Sequence, residues 1–187
     1  MALQHAILVS LCEQSGSGYE LARRFDRSIG YFWSASHQQI YKTLRTMEDD
    51  DWVHVRVVEQ RGRPDKKVYT VSDAGRGELA RWISEPITGS GRGGSVADNR
   101  TRDLAVKVRA AAYGDIAAVR DQADALRAER SALLDIYRGY EKRQFSDPTA
   151  LSGSALHQYL VLRGGIRAEE SAIEWLTEVS SALKESR

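Results

Sequence analysis

The sequence predicts a mainly α-helical chain with a small β-hairpin, built as one module of four helices and the hairpin followed by a second, all-helical module. Three observations carry this. Apolar residues recur at helical spacing through most of the 187 residues. Period-two alternation is confined to two runs, Trp52 to Val58 and Lys67 to Val71. Between the halves, Pro86 to Asn99 reads PITGSGRGGSVADN, whose four glycines between Gly89 and Gly94 stand beside serines, which is flexible-linker chemistry. The expected division is therefore a first module over 1–85, a linker over 86–99 and a helical module over 100–187.

Each element has a local cause. Leu3, Ile7, Leu8 and Leu11 make a helical stripe that the QSGSG segment, Gln14 to Gly18, interrupts. Ser17 with Glu20 three residues on is a capping-box spacing, opening a second helix whose Leu21, Ala22 and Phe25 face inward and which ends near Gly30. Ser36 caps a third helix with Ile40, Leu44 and Met47 as its stripe, running to about Asp50. The segment EQRGRPDK joins the two alternating runs as a hairpin turn, with Gly62, Pro64 and Asp65 as turn residues. Ser72 caps a fourth helix that buries Leu79, Trp82 and Ile83, and Pro86 follows closely.

Beyond the linker, a helix is expected from about Arg102 to Tyr113, then a long one from about Asp115 to Arg143. The latter has a seam of Ile116, Val119, Ala123, Leu126, Arg130, Leu133, Tyr137 and Tyr140, heptad-like and interrupted by Arg130. A last helix, about Gly153 to Lys184, carries Tyr159, Leu162, Ile166, Ile173, Leu176 and Leu183 on a matching stripe. Two long amphipathic helices with little else to cover them leave apolar surface for a second subunit. The residues expected at a homodimer contact are Leu126, Leu133, Tyr137, Tyr159, Leu162, Ile173, Trp175 and Leu176.

Composition excludes several classes. Hydrophobic residues at 42% and charged residues at 28% suit a folded domain with an ordinary surface. A single cysteine, Cys12, allows neither an intramolecular disulfide nor a cysteine zinc cluster, which points to a reducing, cytoplasmic location. Cys12 lies near the apolar face of helix one, where a structural role is the default; a redox role would need a partner thiol from another subunit. The N-terminus has no basic leader, and no run of 18 apolar residues occurs, so neither a signal peptide nor a membrane span is expected. His5, His37, His54 and His157 fall in no metal-ligand spacing, no G-x-S-x-G elbow occurs, and GSGRGG lacks the Gly-Lys-Ser/Thr ending of a phosphate loop. No enzyme activity, metal or cofactor is expected.

Three short helices followed by a basic-tipped hairpin describe a winged helix-turn-helix, whose third helix enters the DNA major groove. With Ile40, Leu44 and Met47 inward, the residues His37, Gln38, Tyr41, Lys42 and Arg45 face outward and Gln39 lies on the flank. These are base-edge and phosphate types, although a solvated helix face carries the same ones. The wing adds weight: Arg61, Arg63, Lys66 and Lys67 surround a single Asp65, whereas the whole chain nets only +1. The acidic run Glu48 to Asp51 should point away from DNA, into solvent. Tyr31, Phe32 and Trp33 read as core that fixes the angle of helix three, Trp52 and Trp82 as core of the wing and helix four, and Trp175 as helix packing.

Residues 3 to 85 resemble the PadR family of bacterial transcriptional regulators. The resemblance rests on GYELARRF (Gly18 to Phe25), FWSASHQQIYKTLRTME (Phe32 to Glu48), WVHVRVVEQRGRPDKKVYTVSDAGRGEL (Trp52 to Leu79) and RWI (Arg81 to Ile83). The C-terminal part, with RDLAVKVRAAAY and IEWL, is similar to the longer, two-domain members. The resemblance implies a dimeric repressor whose C-terminal helices interlock two subunits over a palindromic operator in double-stranded DNA. By position, DNA-reading residues fall on Ser36, Gln38, Gln39, Tyr41, Thr43 and Arg45, with wing contacts from Arg61, Arg63 and Lys67. Lys42 stands where many members have proline, and His37 and Gln38 replace a commoner aromatic and glycine, so base preference does not transfer. Some relatives bind flat aromatic effectors, but no pocket for one is located by this sequence. A rival reading is a dimeric protein-interaction adaptor without DNA specificity, which the near-neutral charge favours and the basic wing opposes.

Overall fold

A computed structural model describes residues 2–27, 35–59, 65–88 and 96–185. It forms two compact units, residues 1–119 and 120–187.

The first unit follows the expected order. Helix α1 spans Ala2–Glu13, α2 Gly18–Arg27, α3 His37–Asp49 and α4 Asp73–Ser84, with strands β2 over Val53–Val58 and β3 over Lys66–Val71 before α4. The hairpin is in register from Val53 opposite Val71 to Val58 opposite Lys66. One element was not expected. Gly16–Ser17 forms a two-residue strand, β1, which pairs antiparallel with β3 through Gly16 opposite Tyr69 and Ser17 opposite Val68, so the sheet has three strands in the order β1-β3-β2. A two-residue strand of glycine and serine carries no side-chain alternation to read. The end of the second helix near Gly30, the aromatic run Tyr31 to Trp33, and the turn residues Gly62 and Pro64 lie outside the described residues.

Capping sets the helix boundaries. The Ser17 hydroxyl accepts the Glu20 amide (3.3 Å) while Glu20 Oε2 accepts the Ser17 amide (2.8 Å), the reciprocal box its spacing suggests. At the other end of α3 the chain turns through Asp51 at φ 58°, with the Asp51 amide donating to Glu48 and the Trp52 amide to Met47 (2.8 Å). That is a Schellman closure with aspartate in the left-handed position that glycine usually takes. The Ser72 hydroxyl accepts the Gly75 amide to open α4 and donates to the Asp51 carbonyl (2.6 Å), tying the start of α4 to the end of α3.

Ile7, Leu8, Leu21, Phe25, Ile40, Leu44, Met47, Leu79 and Ile83 form the fully buried core of this unit. Trp82 is half-buried beside it, with His5 stacked on its ring at 4.3 Å between centroids and 6° between planes. His5 also donates to Glu78 (2.9 Å), joining α1 to α4.

The fifth helix, α5, spans Val96–Ala110 and continues as a 3-10 turn to Tyr113. It begins inside the segment read as linker, and it belongs to the first compact unit rather than the second. The cause is polar as well as apolar. Lys107 is 1% exposed; its ammonium donates to the Ile83 carbonyl (3.3 Å) and to that of Glu85, satisfying the end of α4, and stands 5.0 Å from the Trp82 ring centroid. Burial pulls its pKa down to about 8, against the neighbouring Asp103 and Glu85 carboxylates, which raise it. Arg109 adds a two-pronged pair with Glu13 on α1 (2.7 and 2.8 Å). The division of the chain thus falls within α6, the long helix Ile116–Gln144.

The second unit is an antiparallel pair, the remainder of α6 with α7, Gly153–Glu185. Arg130 meets Glu169, Arg163 meets Glu141 and Phe145 meets Tyr159, one helix advancing as the other retreats. Arg130, the polar interruption of the expected seam, is answered by Glu169, itself buried at 7% exposure. On α6 the buried residue is Leu134, with Leu133 half-buried and Tyr140 exposed; the true helical repeat drifts away from a strict heptad over this length. Of the residues expected at a dimer contact, Leu126 and Leu176 are already buried within the chain, and Leu133, Tyr137, Tyr159, Leu162, Ile173 and Trp175 are half-buried.

Two glycines of α4 give a stability test. A β-carbon at Gly75 would lie 2.2 Å from the Trp52 carbonyl oxygen, whereas one at Gly77 would meet nothing within 4 Å. Gly75→Ala should destabilise the chain by about 1–3 kcal/mol through overpacking, and Gly77→Ala should stabilise it by about 1 kcal/mol through helix propensity. Denaturant unfolding of the two variants checks this; equal effects would contradict the packing.

Candidate nucleic-acid interface

The outward face of α3 is built as its sequence spacing requires. Ile40, Leu44 and Met47 are fully buried, which turns His37, Gln38, Tyr41, Lys42 and Arg45 to solvent and leaves Thr43 half-buried. The first turn is spent on capping. The Ser36 hydroxyl accepts the Gln39 amide (3.2 Å), and Gln39 Oε1 accepts the Ser36 amide (2.8 Å). Ser36 and Gln39 are exposed as expected, but their side chains hold the end of the helix, which leaves the Gln39 NH2 group as its outward donor. That box was legible in the spacing and was not read.

The helix α2 approaches α3 closely. A β-carbon at residue 18 would lie 2.4 Å from the Tyr41 ring, so only glycine fits there. Tyr41 is 43% exposed and rests its ring against that backbone. The third wall is β3, which supplies Lys66 and Lys67. Between the three lies a groove of about 850 Å³, lined in part by Tyr41, Arg45, Lys66 and Lys67. Tyr19 and Arg23 of α2 line it too, and neither was singled out from the sequence.

Carboxylates hold the wing lysines in place. Lys66 pairs with Glu20 (2.8 Å) and Lys67 with Glu48 (3.5 Å). Glu48 therefore does not point away into solvent as expected of the acidic run; it reaches across to β3. The ammonium of Lys66, with the Ser17 amide and hydroxyl, lowers the Glu20 pKa to about 2. Arg61 and Arg63, the other wing cations, lie outside the described residues. Burial raises the Tyr69 pKa, with the Glu48 carboxylate adding to it.

Cys12, half-buried on α1, has its thiol pKa raised by desolvation, with the Arg76 guanidinium opposing. Among the described residues no group of three or more His, Cys, Asp or Glu side chains stands close enough to hold a metal ion, and no helix is long and apolar enough to cross a membrane.

Comparison with known proteins divides the chain as the glycine-rich segment does. Residues 7–81 match the transcriptional regulator PadR-like family, and residues 102–184 match the virulence activator alpha C-terminal family. The chain is 69% identical to the probable transcriptional regulator Rv1176c of Mycobacterium tuberculosis, with all of both chains covered. It is 30% identical to the negative transcriptional regulator PadR of Bacillus subtilis, over 97% of each. Among solved structures, that of Bacillus subtilis PadR in complex with operator DNA is similar at 26% identity and a TM-score of 0.45, covering 98% of this chain and 99% of that one. The Vibrio cholerae virulence activator AphA is similar at 28% identity and a TM-score of 0.43, covering 99% of each.

The capping carboxylate yields a pH test. Glu20 titrates at about 2 in the folded chain and near 4.3 when unfolded, so its ionised form favours folding above about pH 4.3, and that contribution is lost as pH falls toward 2. The stability difference between the wild type and Glu20→Gln should be steady above about pH 5 and shrink toward pH 2. Thermal unfolding across that range checks it, and a pH-independent difference would remove Glu20 from the ion pair.

Proposed function

The chain belongs to the PadR-like family of transcriptional regulators, a non-enzymatic family, and from that premise we propose that it is a homodimeric repressor binding a palindromic operator in double-stranded DNA. The observation that carries the reading is the outward α3 face. His37, Gln38, Tyr41, Lys42 and Arg45 stand exposed beside Lys66 and Lys67, all on the unit matched to the family. Arg45 and Gln38 have the donor chemistry for guanine and adenine edges, Tyr41 and Lys42 for phosphate, and Thr43 and Ser36 lie at the margin of the contact. Lys67, with Arg61 and Arg63, serves the backbone beside the half-site. Repression is supported by the name of the Bacillus subtilis relative, a negative regulator.

Dimerisation sets the spacing. Two recognition helices must meet half-sites about 34 Å apart, one turn of duplex. The half-buried apolar residues of α6 and α7, among them Leu133, Tyr137, Leu162, Ile173 and Trp175, supply surface for that contact. A small-molecule effector, aromatic in some relatives, releases the operator by favouring a dimer of the wrong spacing. It shifts the equilibrium by no more than its differential affinity for the two states, commonly about 1–3 kcal/mol. A cytoplasmic location follows from this role.

Selection of binding sites from a random duplex library, with stoichiometry measured on the selected duplex, tests the reading. An enriched palindrome bound by two chains is expected; no enrichment and no salt-sensitive binding by folded protein would favour the adaptor instead. On the selected duplex, Arg45→Ala should cost about 1–3 kcal/mol while leaving random DNA nearly unaffected. Gln39→Ala, which removes a cap as well, should lower thermal stability alongside affinity. Lys67→Ala should weaken all duplexes alike and lower the salt slope by about one. Affinity measured on both duplexes separates these outcomes, and equal losses on both for Arg45→Ala would end its base-reading role.

A further inference from the structure

The groove between α2 and α3 carries the same short pattern on both of its helical walls. On α3, Tyr41 is followed one turn later by Arg45; on α2, Tyr19 is followed one turn later by Arg23. All four side chains are exposed, and all four line one groove. A four-residue step puts each tyrosine and its arginine on the same face of its helix. Because Gly18 lets α2 close onto the Tyr41 ring, the α2 pair is held beside the α3 pair rather than turned away from it.

The state of the cations distinguishes these two arginines. Lys66 and Lys67, which also line the groove, are engaged by Glu20 and Glu48. Arg24, buried deeper, donates to the Ser10 carbonyl (2.8 Å) and to the Gln14 carbonyl. Arg23 and Arg45 make no hydrogen bond or ion pair among the described residues, although Glu20 and Asp65 share the groove with them. Two guanidiniums held open on opposite walls, each beside a phenol, match the chemistry of a phosphodiester. Guanidinium offers paired donors to its oxygens, and a phenolic hydroxyl adds a third. Tyr19 strengthens the case: it is 58% exposed, a large ring left in solvent beside a cationic rim.

Resting on the DNA-binding reading above, we infer that Tyr19 and Arg23 form a phosphate clamp on the second wall of this groove, gripping the duplex backbone beside the site that α3 reads. The clamp is indifferent to sequence. Its contribution appears as affinity and salt dependence, not as choice of base, and it fixes where α3 sits along the groove of the DNA.

The test uses the full-length protein and two probes, the library-selected duplex and a mixed-sequence duplex of equal length, titrated over a range of salt concentrations. Arg23→Ala should weaken both probes by a similar factor, roughly fivefold to tenfold, and lower the salt slope by about one for each chain bound. Arg23→Lys should restore the slope, Tyr19→Phe should give a smaller loss on both probes alike, and Lys184→Ala, at the far end of α7, should change neither. Thermal unfolding of each variant reports that it is folded. If the wild type binds and Arg23→Ala keeps its affinity and slope, or loses affinity for the selected duplex alone, the clamp is overturned while the regulator reading stands. If the wild type binds neither probe, the regulator reading fails and the clamp with it.

Discussion

The ring of Tyr41 occupies the space that any β-carbon on residue 18 would need, and the geometry of the DNA-facing side follows from that exclusion. With glycine there, the first turn of α2 presses against the exposed face of α3, and the short strand Gly16–Ser17 leading into it reaches the edge of β3. One contact therefore sets three walls: α2, α3 and the wing. A larger residue at position 18 would part α2 from α3 and shift β1 along with it.

Charge is arranged to match. The chain nets only +1, yet its cations are not spread evenly over the surface that the fold presents. Glu20 caps α2 and holds Lys66, and Glu48 ends α3 and holds Lys67, so each carboxylate serves a helix terminus region and a wing lysine together. A phosphate approaching these lysines must compete with carboxylates already in place, whereas Arg23 and Arg45 stand ready. Exposed ion pairs of this kind are weak, generally about 0–1 kcal/mol, so the competition is an adjustable one. It keeps the lysines ordered without removing them from use.

Much of this was legible in the sequence, for physical reasons that differ by element. Ser17 with Glu20, Ser36 and Ser72 announced three helix starts because capping depends on local spacing alone. Val53 to Val58 and Lys66 to Val71 announced the hairpin by alternation. What escaped notice depends on contacts between distant residues. β1 exists only because β3 offers it an edge; Lys107 looked like a surface cation of a later helix until its ammonium was found closing the end of α4. Leu134 replaced Leu133 because the long helix does not keep a heptad. Tyr19 and Arg23 passed as a solvated face, since their partnership with Tyr41 and Arg45 runs across two helices and not along one. The Tyr-x-x-x-Arg pattern, present twice, was the signal that would have found them.

The central claim is that the duplex meets the winged unit through α2, α3 and β3 together. Amide hydrogen exchange of the full-length protein, with and without a saturating selected duplex, tests this most directly. Slower exchange is predicted in the first turn of α2, the N-terminal half of α3 and the start of β3 on addition of DNA. Slowing confined to residues 120–187, with α2 and α3 unchanged, would contradict the account.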